Sequence, residues 1–154
     1  MEIFPITKAT QYVAKQIILQ GMYEHFGYID ETLNPDLHEP LTFYDGIDNF
    51  LYIMKYNGLM ICTGGLQREG LYSGRVVRLS VLQSFRGNGF ANQMMHYIEK
   101  KARSEHMSYI RVETNKEWTG AISLYHSLGY KLKEEDQTRC HFVKHLQKEE
   151  AYGI

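Results

Sequence analysis

VRLSVLQSFRGNGFA, Val77 to Ala91, is the stretch on which the reading of this 154-residue chain turns. Val77, Leu79 and Val81 alternate with Arg78 and Ser80, the period of a strand with one buried face. Downstream, Phe90, Met94, Tyr97, Ile98 and Ala102 recur as the apolar stripe of a helix lying on a sheet. Arg86-Gly87-Asn88-Gly89-Phe90-Ala91 therefore makes the turn into a helix N-terminus. Free N–H groups and the positive end of the helix dipole favour an anion there, and Gly87 and Gly89, without Cβ atoms, let phosphate oxygens approach the main chain. Arg86 either adds charge or points to solvent.

Two kinds of phosphate loop are excluded. No Lys followed by Ser or Thr comes after the glycines, as a Walker A loop requires, and Asn92 stands where a dinucleotide fingerprint needs its third Gly. What remains is Arg, two residues, Gly, one residue, Ala. A second segment adds context: Ser108 to Thr114, SYIRVET, reads as a strand, and Ala121, Leu124, Tyr125 and Leu128 fall on one helical face that Gly129 is placed to end as a left-handed cap.

The loop after the strand, followed at this separation by Ala121 to Tyr130 (Ala, two residues, Leu-Tyr, two residues, Leu-Gly-Tyr), resembles the GNAT superfamily of N-acetyltransferases over about residues 49 to 146. The resemblance implies acetyl-coenzyme A as cosubstrate, with no metal. Leu79, Ser80 and Val81 would pair with the pantetheine arm, and Arg86, Gly87, Asn88, Gly89, Phe90, Ala91 and Asn92 would hold the pyrophosphate. Tyr125 matches the family's general acid, and a phenol with an ordinary pKa near 10 carries its proton at neutral pH. Glu113, late in its strand, is the candidate base, although alternation with Ile110, Val112 and Thr114 leaves its face open. Glu24, His25 and Tyr28, at the end of the first helix, are candidates for the acceptor site. One departure stands out: Trp118 occupies the place, three residues before Ala121, where the family often has Asn. Its indole either stacks on or shields the pantetheine arm, or packs on the helix start.

The remaining chain reads as one α/β (α+β) domain over residues 1–154, a mixed central sheet flanked by helices. Glu2 to Ile6 is a strand, Thr7 a plausible cap for a helix through Phe26 with Val13, Ile17 and Ile18 inward, and Gly27 its end. Residues 27–48, with Pro35, Pro40 and Gly46, read as a loop with one or two helical turns. Phe50 to Tyr56 and Leu59 to Gln67 flank Asn57-Gly58, a strong hairpin signal; Tyr130 to Lys133 and Arg139 to Leu146 suit a last hairpin. Its edge and the twelve tyrosines make a homodimer plausible.

Composition narrows the partners. With 44% hydrophobic residues the chain can bury a core unaided, and Cys62 and Cys140 show no metal-ligand spacing and read as buried free thiols. No membrane-spanning run or signal peptide is evident, so a soluble, cytoplasmic protein is expected. Between Lys15 and Lys55 the chain has seven acidic residues and no Lys or Arg; the rest has 17 basic against 11 acidic residues. The basic remainder suits a polyanionic coenzyme and the acidic interval a cationic amine, or else a solvated loop. No basic cluster with interleaved aromatics suggests nucleic acid.

The expected reaction is direct attack of a primary amine on acetyl-coenzyme A in a ternary complex. The acceptor would be a small cationic amine, an amino terminus or a Lys side chain. The alternatives are a non-catalytic acyl-coenzyme A sensor and an interaction domain whose glycine turn binds nothing.

Overall fold

In a computed structural model, which describes residues 1–27 and 33–147, seven strands form a single sheet in the order β1-β2-β3-β4-β5-β7-β6. They are β1 (Glu2–Pro5), β2 (Asn49–Tyr56), β3 (Leu59–Gly70), β4 (Ser73–Val81), β5 (Tyr109–Asn115), β6 (Lys131–Glu135) and β7 (Arg139–His145). Every neighbouring pair is antiparallel except β4 and β5. Asn57 and Gly58, at φ 49° and 79°, make the tight β2–β3 turn that the Asn-Gly pair predicts. No helix among the described residues is long and apolar enough to cross a membrane.

The sheet carries a core on each face. Helix α1 (Gln11–Phe26) covers one face with Ala14, Ile17, Ile18 and Leu19, joined by Leu37, Tyr44, Leu51 and Ile53. Short α2 (Pro40–Phe43) lies on this side. On the other face α3 (Phe90–Ser104) buries Phe90, Met94, Met95, Ile98 and Ala102, and α4 (Thr119–Ser127) buries Tyr125. Gly64 of β3 lets α3 come close: a Cβ there would stand 2.5 Å from Met94 Cγ and 2.8 Å from Ile98 Cδ1. Gly21 of α1 does the same against β4, where a Cβ would meet Ser80 Oγ at 2.6 Å.

Helix α1 corrects two expectations. It begins at Gln11, not after Thr7, because Thr7 and Thr10 form a turn of their own in which Thr7 N–H donates to Thr10 Oγ1 at 2.8 Å. Val13 is 42% exposed, and the buried place in that turn belongs to Ala14, on the same face as Ile17 and Ile18.

A third correction falls in the decisive strand. Val77, Leu79 and Val81 do not share a face: Val77 packs into the α1 core, whereas Leu79 and Val81 pack into the α3 core. The cause is a bulge. Thr63 pairs with Ser80 but Gly65 with Val77, so three steps on β4 oppose two on β3, and Arg78 sits in the left-handed region at φ 54°. A non-glycine residue there carries roughly 1–2 kcal/mol of backbone strain.

Candidate active site

Strands β4 and β5 pair only from Ser73↔Tyr109 to Arg75↔Arg111. Beyond that point β4 stays on β3 as far as Val81, while β5 stays on β7 as far as Asn115. The two parallel strands thus part, and residues 76–81 keep an edge that β5 does not cover. The chain leaves this edge through a 3-10 turn (Gln83–Phe85) and enters α3 at its end.

The loop at that end leaves its main chain open to the surroundings. Gly87 and Gly89 have φ values of 80° and 81°, and nothing lies within 4 Å of where a Cβ would stand on either. Asn88 holds the turn by donating Nδ2–H to Phe85 O at 3.1 Å and Arg86 O at 3.3 Å. Gly89 is the N-cap, its carbonyl accepts the first helical bond from Gln93 N–H at 3.1 Å, and no side chain caps the helix. Phe90 turns inward as a core anchor, Asn92 is exposed, and the first-turn N–H groups are left for an anion. An open glycine turn, an uncapped helix start and an uncovered strand edge meet at one end of the sheet. These features fit an extended thioester with a pyrophosphate.

The last turn of α1 ties the two banks of this opening together. Glu24 forms an ion pair with Arg86, whose Nε–H also donates to Val81 O at 2.9 Å. His25 stacks on Trp118 with ring centroids 4.1 Å apart, and Phe26 lies at 5.6 Å from the same indole. Glu24 thus reaches the loop after β4, while His25 reaches the N-cap residue of α4 after β5. The fold brings together Glu24 with Arg86, and His25 with Trp118, pairs that sequence reasoning had placed in separate roles. Tyr28 lies outside the described residues.

Tyr125 is 5% exposed and packs against Tyr130 and Phe142, with centroids at 5.8 and 6.0 Å, in the core that also contains Leu79 and Val81. Burial pushes its phenol up to about 12, so it keeps its proton at neutral pH. Glu113 alternates away from Val112 and Ile110, which lie in the α3 core. Its carboxylate stands 3.5 Å from Arg75 Nη1, 3.4 Å from His141 Nδ1 and 3.9 Å from Arg139 Nη1. His141 in turn meets Asp136 at 3.2 Å through Nε2. Cys62 and Cys140 are buried free thiols, on β3 and β7.

Three of the described acidic residues in the interval are engaged by arginines from the rest of the chain, and a fourth by a tyrosine. Glu24 pairs with Arg86, Asp36 with Arg78 at 2.7 Å and Asp48 with Arg68 at 3.3 Å, while Glu39 accepts a hydrogen bond from Tyr12 at 2.9 Å. Asp36 is nearly buried. Desolvation alone would raise its carboxyl, but hydrogen bonds from Arg78 and Tyr44 outweigh this and hold it below the usual range. The Arg78–Asp36–Tyr44 cluster and the groups around Glu113 escaped sequence reasoning. The one visible signal was a cation inside the apolar run Val76 to Val81, opposite an interval with no cation of its own.

Comparison with known proteins agrees with this geometry. Residues 48–132 match the model of the acetyltransferase (GNAT) domain. The chain is 26% identical over 122 residues to N-alpha-acetyltransferase 30 of Saccharomyces cerevisiae, covering 70% of this chain and 69% of that protein. It superposes on an acetyltransferase of the GNAT family from Staphylococcus aureus with a TM-score of 0.84 at 14% identity, covering 95% and 99% of the two chains. It also superposes on the PaiA N-acetyltransferase of Thermoplasma acidophilum, solved in complex with coenzyme A, with a TM-score of 0.80 at 12% identity and 94% and 98% coverage. Parted parallel strands, an open glycine turn and a domain match over more than half its length place this chain in the GNAT acetyltransferase family, as an acyltransferase with acetyl-coenzyme A as its expected cosubstrate.

Proposed function

We propose that the protein acetylates a primary amine by direct attack in a ternary complex, and that the acceptor is an amino terminus or another peptide amine. The parting of β4 from β5 beside the uncapped start of α3 carries this reading. Acetyl-coenzyme A supplies an activated acyl group. The chain would hold its pyrophosphate with the N–H groups of Gly87 to Asn92, with Arg86 held at the start of the loop by Glu24 and the Val81 carbonyl, and would offer the main chain of Leu79 to Val81 to the pantetheine arm. Tyr125, with a phenol that stays protonated, would give its proton to the departing sulfur. Glu113, on the opposite face of β5 from Val112, would accept the amine's proton directly or through water, from a position where Arg75, Arg139 and His141 flank its carboxylate.

Similarity to the yeast N-alpha-acetyltransferase supports a peptide acceptor over a small polycation. So does the pairing of Glu24, Asp36 and Asp48 with arginines, which weakens the field that would select a cation. His25 and Glu24 would then border the acceptor through their neighbours Trp118 and Arg86, not as free charges. Calorimetric titration with acetyl-coenzyme A, followed by a thiol-release assay over short free-amine peptides, polyamines and aminoglycosides, tests the reading. Binding with release from peptides is the expected outcome. Release only from polyamines or aminoglycosides would replace the acceptor, and binding without release would leave a sensor.

A further inference from the structure

Tyr125 is the buried residue of α4, and its place is set by its neighbours, because its hydroxyl makes no hydrogen bond among the described residues. Tyr130, 2% exposed, holds it twice. The Tyr130 N–H donates to the Tyr125 carbonyl at 2.9 Å, and its ring meets that of Tyr125 edge-on with centroids 5.8 Å apart. The Tyr130 hydroxyl in turn donates to Glu99 Oε2 at 2.9 Å. Lys144 Nζ donates to Glu99 Oε1 at 2.7 Å, and Arg103 Nη2 stands 3.9 Å from the same oxygen. Lys144 also lies over the Tyr130 ring, 5.5 Å from its centroid. A chain of contacts thus runs from Tyr125 on α4, through Tyr130, to a carboxylate on α3 and an ammonium on β7.

Glu99 is 2% exposed, beside the apolar stripe of Met95, Ile98 and Ala102. A buried ion pair seldom stabilises more than apolar packing of the same volume, so stability is a weak reason for it. What a bonded cluster does impose is one geometry on the side chains it joins. That geometry matters because α3 and α4 have separate tasks in one reaction. The start of α3 would hold the pyrophosphate, about two and a half turns before Glu99, and α4 carries the acid. The pantetheine arm of the coenzyme joins these two points, so its sulfur meets the phenol only if the helices keep their spacing. We infer that Tyr130 and Glu99 are positioning residues for proton transfer: anchored by Lys144, they fix α4 on α3 and set the Tyr125 hydroxyl where the departing sulfur falls. They act through Tyr125, and the role rests on Tyr125 being the acid, as proposed above.

Tyr130→Phe removes the hydroxyl and keeps the ring and the main-chain bond. Single-turnover thiol release, from acetyl-coenzyme A and a free-amine peptide that is active with the wild type, should slow by roughly tenfold, less than the ~100-fold that a 1 Å misplacement can cost. Acetyl-coenzyme A affinity by calorimetry and peptide KM should each stay within about twofold, as for a loss confined to the transition state. A double-mutant cycle gives the readout that a merely structural role would not: in a Tyr125→Phe background the same change should cost nothing further. Glu99→Leu should reproduce the loss, and Glu99→Gln, which keeps an oxygen for the Tyr130 hydroxyl, should recover part of it. A wild-type rate in Tyr130→Phe or Glu99→Leu, an equal loss in both backgrounds, or a matching loss of coenzyme affinity would each overturn the positioning role while leaving Tyr125 as the acid. A Tyr125→Phe variant as fast as the wild type would instead remove the acid, and absence of thiol release from the wild type with every amine would remove the acetylation reading; this role would fall with either.

Discussion

Gly89 is the residue on which the site is most exposed to a single change. Its φ of 81° and the empty space around its missing Cβ make it both the turn and the open face of the helix start. Asp is a good N-cap residue and among the side chains that tolerate left-handed backbone, so Gly89→Asp should fold while setting a negative charge against the pyrophosphate. Calorimetry should show acetyl-coenzyme A affinity falling by roughly 100-fold or more, since like charges in contact cost several kcal/mol; an unaltered Kd would remove the loop from the binding site. Tyr125 answers a different question. Tyr125→Phe keeps the ring contacts to Tyr130 and Phe142 and removes only the proton donor, so kcat should drop by roughly 100-fold with coenzyme affinity unchanged. Turnover equal to wild type would disqualify Tyr125 as the acid.

The elements meet at close approaches that small residues permit. Gly64→Val would drive a branched side chain into Met94 and Ile98, pushing α3 away from β3, and should cost about 1–3 kcal/mol in denaturant unfolding. A variant as stable as wild type would mean that α3 can move without loss. At the other side of the opening, α1 meets α4 through His25, Phe26 and Trp118. Trp118 is the chain's one tryptophan, so its emission reports this junction alone. Saturation with acetyl-coenzyme A should change that emission in the wild type, and a flat signal at full occupancy by calorimetry would place the indole away from the ligand. The sheet's outer edge is blunted by charge: Lys131, Lys133, Glu134 and Glu135 line β6, an arrangement that discourages strand addition.

Carboxylates held by hydrogen bonds and ion pairs, Asp36 with the distant Arg78 among them, make stability depend on pH. Asp36 titrates below its ordinary value in the folded state, and Asp136 falls to about 2 under hydrogen bonds from the Thr138 and Arg139 main chain. A depressed folded pKa contributes stability that is complete above the unfolded carboxylate range, about pH 4, and is lost as pH falls through the folded value. The melting temperature should therefore decline as pH falls below about 4, and Asp36→Asn should flatten that decline. An identical pH profile in the variant would exclude Asp36 as a contributor. Local pattern was enough for much of this architecture, because it is local: the Asn57-Gly58 hairpin, the stripe of α3, the glycine turn before it and the left-handed end at Gly129 all depend on residues within a few positions of one another. Sequence alone also determined the family, since the Arg86 loop and the Ala121 to Tyr130 run are contiguous. Alternation failed at Arg78, where one extra residue reversed the faces of Val77 and Leu79, a shift that only pairing with β3 reveals. The fates of Glu24, Asp36 and Asp48 were likewise decided in three dimensions. Their arginine partners lie 62, 42 and 20 positions away, and an ion pair depends on distance in space rather than along the chain.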